Sequence, residues 1–238
     1  MKLGNYTHIS ISVRNLSESI KFYETLGFYK IGENTYPIPW ALFTDGVLNI
    51  SLSETTFHSP SINYFSLDVA SRIKFLSGKG LIVEQQIIAE SKIVHNVLSD
   101  PDGFRIALLE SNGENRQPNG ISISQCGTFR ELSIPVTDFK KSVEFWRQFD
   151  FETLVQGDAP YLWAMLTDRL MTVGLHQSGD LSSPAFTYFS PDSIERIALL
   201  KENGIQFQLE IKDDKGVVAN AIAQSPDGQL FFIFNGAV

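Results

Sequence analysis

Two residues of the sequence have side chains suited to acid–base chemistry or to metal binding, His8 and Glu131. An imidazole has an ordinary pKa of about 6.5, so it can exchange protons near neutral pH. A carboxyl in a partly apolar cleft can have a raised pKa and act as a base. Both side chains also bind divalent metals. We therefore take His8 and Glu131 as candidate catalytic residues.

Both candidates lie on segments with the period-two alternation of a half-buried strand. His8 shares one face with Ser10 and Ser12, while the other face carries Ile9, Ile11 and Val13. Glu131 points opposite Leu132, Ile134 and Val136. If the apolar faces are buried, His8 and Glu131 face a cleft. The alternatives are a His8 satisfied by neighbouring hydroxyls and a Glu131 paired with Arg130 or another basic group.

The strands of these two candidates belong to an internal repeat, in which 128–235 copies 5–110. HISISVRNLSESIKFYETLGF matches ELSIPVTDFKKSVEFWRQFDF at an offset of 123 residues. The offset grows to 125 at the turns DPDG and SPDG. Single-residue insertions between elements are expected of two diverged copies of one fold. The chain therefore contains two equivalent halves.

Each half reads as two βαβββ units, which gives four units in the chain. Asn15 and Asp138 are predicted to cap the first helix of each half, and Gly27 to end the first of these helices. In the second unit we predict a strand over Tyr64–Val69 and a helix over Ser71–Ser77. Other predicted strands are Tyr29–Glu33, Trp40–Thr44, Val47–Leu52, Ile82–Ile88, Ile93–Leu98 and Phe104–Leu109. The predicted domains are 1–110 and 128–238, joined by a polar linker over 111–127.

The paired βαβββ units, the first strand of form H-I-x-I-x-V, the helix ending F-Y-x-x-L-G-F and the D-P-D-G turn together resemble the vicinal oxygen chelate superfamily. This superfamily includes glyoxalase I, extradiol dioxygenases and bleomycin-binding proteins. The resemblance covers nearly the whole chain. It implies an α+β fold whose curved mixed sheets form clefts. Its enzymes hold a divalent metal there with His, Glu or Gln side chains.

The resemblance also implies which positions would hold the metal, namely the first and last strands of each unit. Ala107 stands where the family pattern has a ligating Glu, and Phe232 stands at the same place in the second half. Such a site would be poor in strong donors, so we predict no metal of the family type and no other cofactor, although a divalent metal stays open. The matched positions are His8, Asn49, Tyr64 and Ala107 in the first half, and Glu131, Thr172, Tyr188 and Phe232 in the second.

Aromatic side chains at equivalent positions suit stacking on a flat organic ligand. Tyr64 matches Tyr188, and Trp40 matches Trp163. We predict that these four residues, with Asn49, line the ligand-binding cleft, the tyrosine hydroxyls orienting the ligand. The alternative for the tryptophans is a place in the core.

We therefore expect a protein that binds a small, partly aromatic organic molecule in a cleft. One alternative is an enzyme, either a metal-dependent lyase, isomerase or dioxygenase with an atypical site, or a metal-free enzyme with His8 or Glu131 as base. Another is an interaction module in which Phe232 fills the pocket. The sequence does not decide whether the protein is an enzyme, and a homodimer is compatible with the resemblance.

Composition excludes several other classes. The net charge is −8 and no basic patch occurs, so we expect no nucleic-acid partner. The N-terminus lacks a long apolar stretch, and the longest apolar run near the other end, Leu230–Phe234, is too short to cross a bilayer. Cys126 is the single cysteine, which suits a reducing compartment. We expect a soluble, cytoplasmic protein with no membrane partner.

Overall fold

The computed structural model of the chain describes residues 2–78, 84–89, 92–111, 118 and 120–237. These residues form an α+β fold with two mixed sheets and α-helices between the strands. Sheet A contains β1–β8 in the order β2-β3-β4-β1-β5-β8-β7-β6, and sheet B contains β9–β16 in the matching order β10-β11-β12-β9-β13-β16-β15-β14. The predicted repeat is thus confirmed at the level of sheet topology.

Each sheet lies within one predicted half. In the first half the elements are β1 Tyr6–Ser12, α1 Leu16–Thr25, β2 Tyr29–Asn34, β3 Trp40–Thr44, β4 Asn49–Ser53, β5 Ser61–Ser66, α2 Val69–Gly78, β6 Gln85–Ala89, β7 Lys92–Ser99 and β8 Arg105–Glu110. In the second half they are β9 Thr128–Pro135, α3 Phe139–Arg147, β10 Glu152–Gly157, β11 Trp163–Thr167, β12 Thr172–His176, β13 Ala185–Ser190, α4 Ser193–Glu202, β14 Phe207–Lys212, β15 Val218–Gln224 and β16 Leu230–Asn235.

The predicted helix caps are present in both halves. The Asn15 side chain accepts a hydrogen bond from the backbone N–H of Glu18, and the Asp138 side chain accepts one from Lys141. Each satisfies a backbone donor that the first helical turn leaves open. Gly27 follows α1 with a φ of +83°, a left-handed conformation that glycine adopts without a Cβ clash.

One predicted strand was placed too far along the chain. The strand expected over Tyr64–Val69 is β5, Ser61–Ser66, and α2 already begins at Val69. The alternation continues backwards from Tyr64 to Ile62, and both side chains are fully buried. The first two residues of the predicted strand Ile82–Ile88 lie outside the described residues. Positions 112–117 and 119 of the predicted linker also lie outside them.

Contacts between backbone positions divide the chain into two compact units that do not follow the two halves. Unit 1 comprises Met1–Ser10, His58–Gln117 and Ile134–Ser182. Unit 2 comprises Ile11–Phe57, Pro118–Ser133 and Ser183–Val238. Unit 1 thus contains most of the second and third βαβββ units of the chain, and unit 2 most of the first and fourth. Predicted boundaries at 110 and 128 describe the sheets rather than the compact units.

The repeated PDG turn supplies a carboxylate to a helix within each compact unit. In unit 1, Asp102 accepts hydrogen bonds from the Thr137 backbone N–H at 2.8 Å, from Thr137 Oγ1 at 2.6 Å and from Ser142 Oγ at 2.8 Å. These donors lie at the start of α3. A negative charge is favourable there because backbone N–H groups point outward from a helix N-terminus.

The equivalent contact in unit 2 joins the second PDG turn to α1. Asp227 accepts from the Arg14 backbone N–H at 2.8 Å and from Ser19 Oγ at 2.5 Å. Arg14 and Ser19 precede and follow the cap residue of α1 as Thr137 and Ser142 do in α3. The repeated turn therefore does more than reverse the chain, because the aspartate of its PDG sequence binds the start of a helix from the other half.

Among the described residues, no helix combines the length and apolar character needed to cross a membrane.

Candidate functional site

The structure distributes the predicted site residues over the two compact units. His8, Tyr64 and Trp163 belong to unit 1. Unit 2 contains the others, which are Trp40, Asn49, Glu131 and Tyr188. Each unit therefore has to be considered as a site of its own.

Tyr64 and Tyr188 do not line an open cleft, which corrects the expected placement. Both side chains are 0% exposed. Tyr64 Oη donates to Asp168 Oδ2 at 2.9 Å, and Tyr188 Oη donates to Asp45 Oδ2 at 2.8 Å. The physical reason is the strand alternation, since Tyr64 and Tyr188 share their faces with the buried Ile62 and Phe186. Their hydroxyls are used inside the core.

The two carboxyls that receive these hydroxyls also organise a turn. Asp45 Oδ1 accepts from the backbone N–H groups of Val47 and Leu48 at 2.8 and 2.5 Å. In the same way, Asp168 Oδ1 accepts from the backbone N–H groups of Leu170 and Met171. Burial raises the pKa of both carboxyls, and burial together with the aspartate charge raises the pKa of both tyrosines. These pairs are structural elements of each unit.

The remaining predicted ligand contacts differ in exposure. Trp40 and Trp163 are half-buried, and Asn49 is only 1% exposed. The Trp163 ring is stacked near His176 with centroids 6.5 Å apart. Gly157 lies under Trp163, because a Cβ there would approach Nε1 to 2.7 Å. Trp163 is thus packed from two sides, and its proposed ligand contact stays a prediction.

His8 lies on the face of sheet A that points away from the core residues Ile9, Ile62 and Ile106. We call the unit 1 part of this surface the His8 face. Pairing registers arrange its side chains in three rows across β1, β5, β8 and β7. The rows are Ser10–Ser61–Arg105–Ser99, His8–Asn63–Ala107–Val97 and Tyr6–Phe65–Leu109–His95.

A chain of hydrogen bonds runs through the first two rows. His8 Nε2 lies 3.1 Å from Ser10 Oγ, and Asn63 Nδ2 donates to the same Oγ at 2.7 Å. Ser61 Oγ donates to Asn63 Oδ1 at 3.1 Å. The His8 ring lies 4.8 Å from the Phe65 ring, and burial lowers the pKa of His8 to about 4. His8 is therefore neutral at neutral pH.

The equivalent surface of sheet B, in unit 2, we call the Glu131 face. Glu131 is 6% exposed and accepts from Ser133 Oγ at 2.8 Å, while Ser133 Oγ lies 2.7 Å from Thr187 Oγ1. Thr187 is opposite Glu131 and beside Phe232. Phe189, Phe232 and Phe234 form a run of rings, with neighbouring centroids 5.6 to 5.7 Å apart. The Glu131 face therefore combines one buried carboxyl with several aromatic rings.

The registers also correct the matching of positions. The residue opposite His8 is Asn63, and the residue opposite Glu131 is Thr187. Tyr64 and Tyr188 are each one residue further along and point to the other face. The corresponding sets are therefore His8, Asn63 and Ala107 on one sheet, and Glu131, Thr187 and Phe232 on the other.

Neither set fits the divalent metal that the resemblance implies. The His8 set has one strong donor, one amide and a methyl group, while the Glu131 set has one carboxyl, one hydroxyl and a phenyl ring. A catalytic metal in proteins ordinarily needs about three N, O or S ligands of the protein. No group of three or more His, Cys, Asp or Glu side chains that could hold a metal occurs in the part of the chain that the structure describes.

A cavity of about 660 Å³ lies elsewhere in unit 2. Its lining consists of helix ends and linker residues, which are Lys21, Glu24, Thr25, Gly27, Gln125 and Asn203. None of the predicted site residues contributes to it. Cys126, next to this linker segment, is fully buried, and burial raises the pKa of its thiol to about 12. A thiol in this state is a poor nucleophile at neutral pH.

Comparison with solved structures identifies the fold. A catechol 2,3-dioxygenase superposes with a TM-score of 0.63 at 12% identity, covering 100% of this chain and 89% of that one. The chain has the vicinal oxygen chelate fold. A 2,2',3-trihydroxybiphenyl 1,2-dioxygenase from Sphingomonas wittichii gives 0.62 at 17% identity, with 99% and 90% covered.

A mutant of 4-hydroxymandelate synthase from Streptomyces coelicolor gives a TM-score of 0.60 at 13% identity, with 97% of this chain and 92% of that chain covered. No family model matches the sequence, and no curated protein matches it. At these identities the likeness concerns the fold alone, so function has to be argued from the residues of the two faces.

Sequence reasoning missed Asn63 and Arg105 as members of the His8 face, and it named Ser10 without a role. The missing signal was available in part. Because side chains alternate along a strand, burial of Ile62 and Tyr64 already places Asn63 on the opposite face. The pairing of β5 with β8, which brings Asn63 beside Ala107, is a tertiary fact.

Proposed function

We propose that the His8 face binds a small organic molecule with an aromatic part, and that it does so without a family-type metal. The observation that carries the proposal is Ala107, a small side chain between the hydrogen-bonded Asn63 and the apolar Val97. Polar groups on one side and rings on the other are typical of small-molecule sites. On the Glu131 face, Phe232 occupies the equivalent position.

Binding is favoured over acid–base catalysis because of the state of His8. A general base works best when its pKa lies near the operating pH. Burial lowers the pKa of His8 to about 4, so the imidazole is a weak base that still donates and accepts hydrogen bonds. This suits a residue that orients a ligand.

The proposal is tested by titrating the protein with phenethyl alcohol and with catechol, following tryptophan fluorescence and thermal stability. Ala107→Phe imports the residue of the second copy and should abolish binding on the His8 face. Phe232→Ala is the matched control, because it changes the equivalent position of the Glu131 face. We expect Phe232→Ala to bind as the wild type does. Binding that survives Ala107→Phe and is lost in Phe232→Ala would place the site on sheet B.

The metal-dependent alternative has its own test, because a structural neighbour is a catechol 2,3-dioxygenase. The protein is dialysed against manganese, iron, nickel and zinc and its metal content is measured, followed by oxygen uptake with catechol. We expect no stoichiometric metal and no uptake. Metal that is lost on His8→Ala or Glu131→Ala, together with uptake, would replace the binding proposal with an enzyme. An interaction module would bind neither probe.

A further inference from the structure

The three rows of the His8 face differ systematically in chemistry. The first row contains hydroxyls and the guanidinium of Arg105, and the third contains Tyr6, Phe65 and Leu109. The second row lies between them and includes the small Ala107. Neighbouring rows are two residues apart along each strand, which corresponds to about 7 Å. One end of the face therefore carries hydroxyls and a guanidinium, and the other end carries aromatic rings.

Arg105 is positioned to receive a second acidic group. Its side chain is half-buried, and its Nη1 donates to Ser99 Oγ at 2.8 Å and contacts the Glu84 carboxylate. A guanidinium has five N–H donors in a planar fork. Among the described residues, Arg105 makes its contacts through Nη1, so the donors on Nε and Nη2 can serve another partner. Ser61 stands next to Arg105 in the same row and Ser10 next to Ser61.

We infer that the ligand of the His8 face is a small aromatic acid. Its carboxylate binds Arg105, and its ring lies over Ala107 towards Phe65 and Tyr6. Charge-assisted hydrogen bonds from a planar guanidinium are among the stronger contacts available to a carboxylate. The inference rests on the proposed function and adds to it the charge and the orientation of the ligand.

The Glu131 face provides an internal comparison for this inference. The residue equivalent to Arg105 is Leu230, and the residue equivalent to His8 is the acidic Glu131. Leu230 has no hydrogen-bond donor with which to hold a carboxylate, unlike the guanidinium of Arg105. Anion binding is therefore assigned to sheet A alone.

The test compares phenylacetate with phenethyl alcohol, two probes of similar shape that differ in charge. Wild-type protein should bind phenylacetate more tightly. Arg105→Leu imports the residue of the second copy and should weaken phenylacetate binding about tenfold or more, with phenethyl alcohol unchanged. Arg105→Lys keeps the charge without the fork and should recover part of the affinity. Leu230→Arg is the matched control on sheet B and should leave both affinities unchanged.

The outcomes separate the two proposals. Equal affinity for the two probes, with both lost in Ala107→Phe, overturns the aromatic acid and leaves small-molecule binding on the His8 face intact. If neither probe shows binding that is lost in Ala107→Phe, both the aromatic-acid inference and the proposed binding on the His8 face are overturned. Because loss of the Glu84 contact could unfold Arg105→Leu, its thermal stability is measured first. If it is unfolded, Arg105→Lys and the salt dependence of phenylacetate binding decide, since added salt weakens an exposed ion pair.

Discussion

The His8 face and the Glu131 face occupy equivalent places in the two sheets, yet their chemistry has diverged while the core behind each has kept a tyrosine–aspartate pair. His8, Asn63, Ala107 and Arg105 on sheet A correspond to Glu131, Thr187, Phe232 and Leu230 on sheet B. Behind them, Tyr64 and Tyr188 each donate to a buried aspartate in the same geometry. The duplication has kept what stabilises the fold and changed what a ligand would meet.

The largest expected effect concerns His8 and its titration. The folded protein holds the pKa of His8 at about 4, below the ordinary 6.5, so the unfolded chain binds the proton more tightly. The stability that the neutral imidazole gives is fully present above about pH 6.5 and is lost as the pH falls towards 4, by at most roughly 3 kcal/mol. His8→Asn lacks this titration. Urea unfolding of wild type and variant between about pH 7 and pH 4 should show wild type losing stability relative to the variant.

Comparison with the variant removes contributions from other groups, including Asp100. Burial raises the pKa of Asp100 to about 6, so its own contribution to stability increases as the pH falls over this range. It does so equally in both proteins. Parallel stability curves for wild type and His8→Asn would contradict the lowered pKa of His8 and weaken the contrast between the two faces.

An intermediate and equal effect is expected from the two core tyrosines. Tyr64→Phe and Tyr188→Phe each remove the hydroxyl that a buried carboxyl receives, which should lower the free energy of unfolding by about 1–3 kcal/mol. Binding of aromatic probes should not change. Tyr29→Phe, at a tyrosine that is 66% exposed, serves as the control and should be neutral. If either variant binds the probes more weakly while its free energy of unfolding is unchanged, the tyrosine would contact the ligand after all.

The smallest effect is expected at the two PDG turns. Asp102→Ala and Asp227→Ala should each lower the free energy of unfolding by about 1–2 kcal/mol, because each leaves donors at a helix start without their carboxylate. Asp214→Ala, in an exposed turn, is the control. Thermal unfolding of the three variants compares the contributions of the Asp102 and Asp227 contacts directly. A loss confined to one of the two turns would show that the units have diverged beyond their faces.

The site shows why local pattern was insufficient. The resemblance matches Tyr64 to the first-strand position of the second unit, and the repeat of this aromatic residue as Tyr188 predicts that both tyrosines contact a ligand. In the structure the two preserved tyrosines belong to the core, whereas the His8 face differs between the copies. Conservation of Tyr64 and Tyr188 between the two copies therefore reflects their role in stabilising the core. We propose that a ligand is accommodated where the copies differ, at Ala107 rather than at Phe232.

The sequence by itself determined the repeat, the βαβββ order, the helix caps at Asn15 and Asp138, and the outward direction of His8. These follow from alternation, helical spacing and capping, which act over a few residues. Tertiary structure alone decided that Asn63 lies beside Ala107, that Tyr64 reaches Asp168 and that Asp102 binds the start of α3. Such partners are more than 30 residues apart along the chain, so only the pairing of strands and the packing of helices within each unit could bring them together.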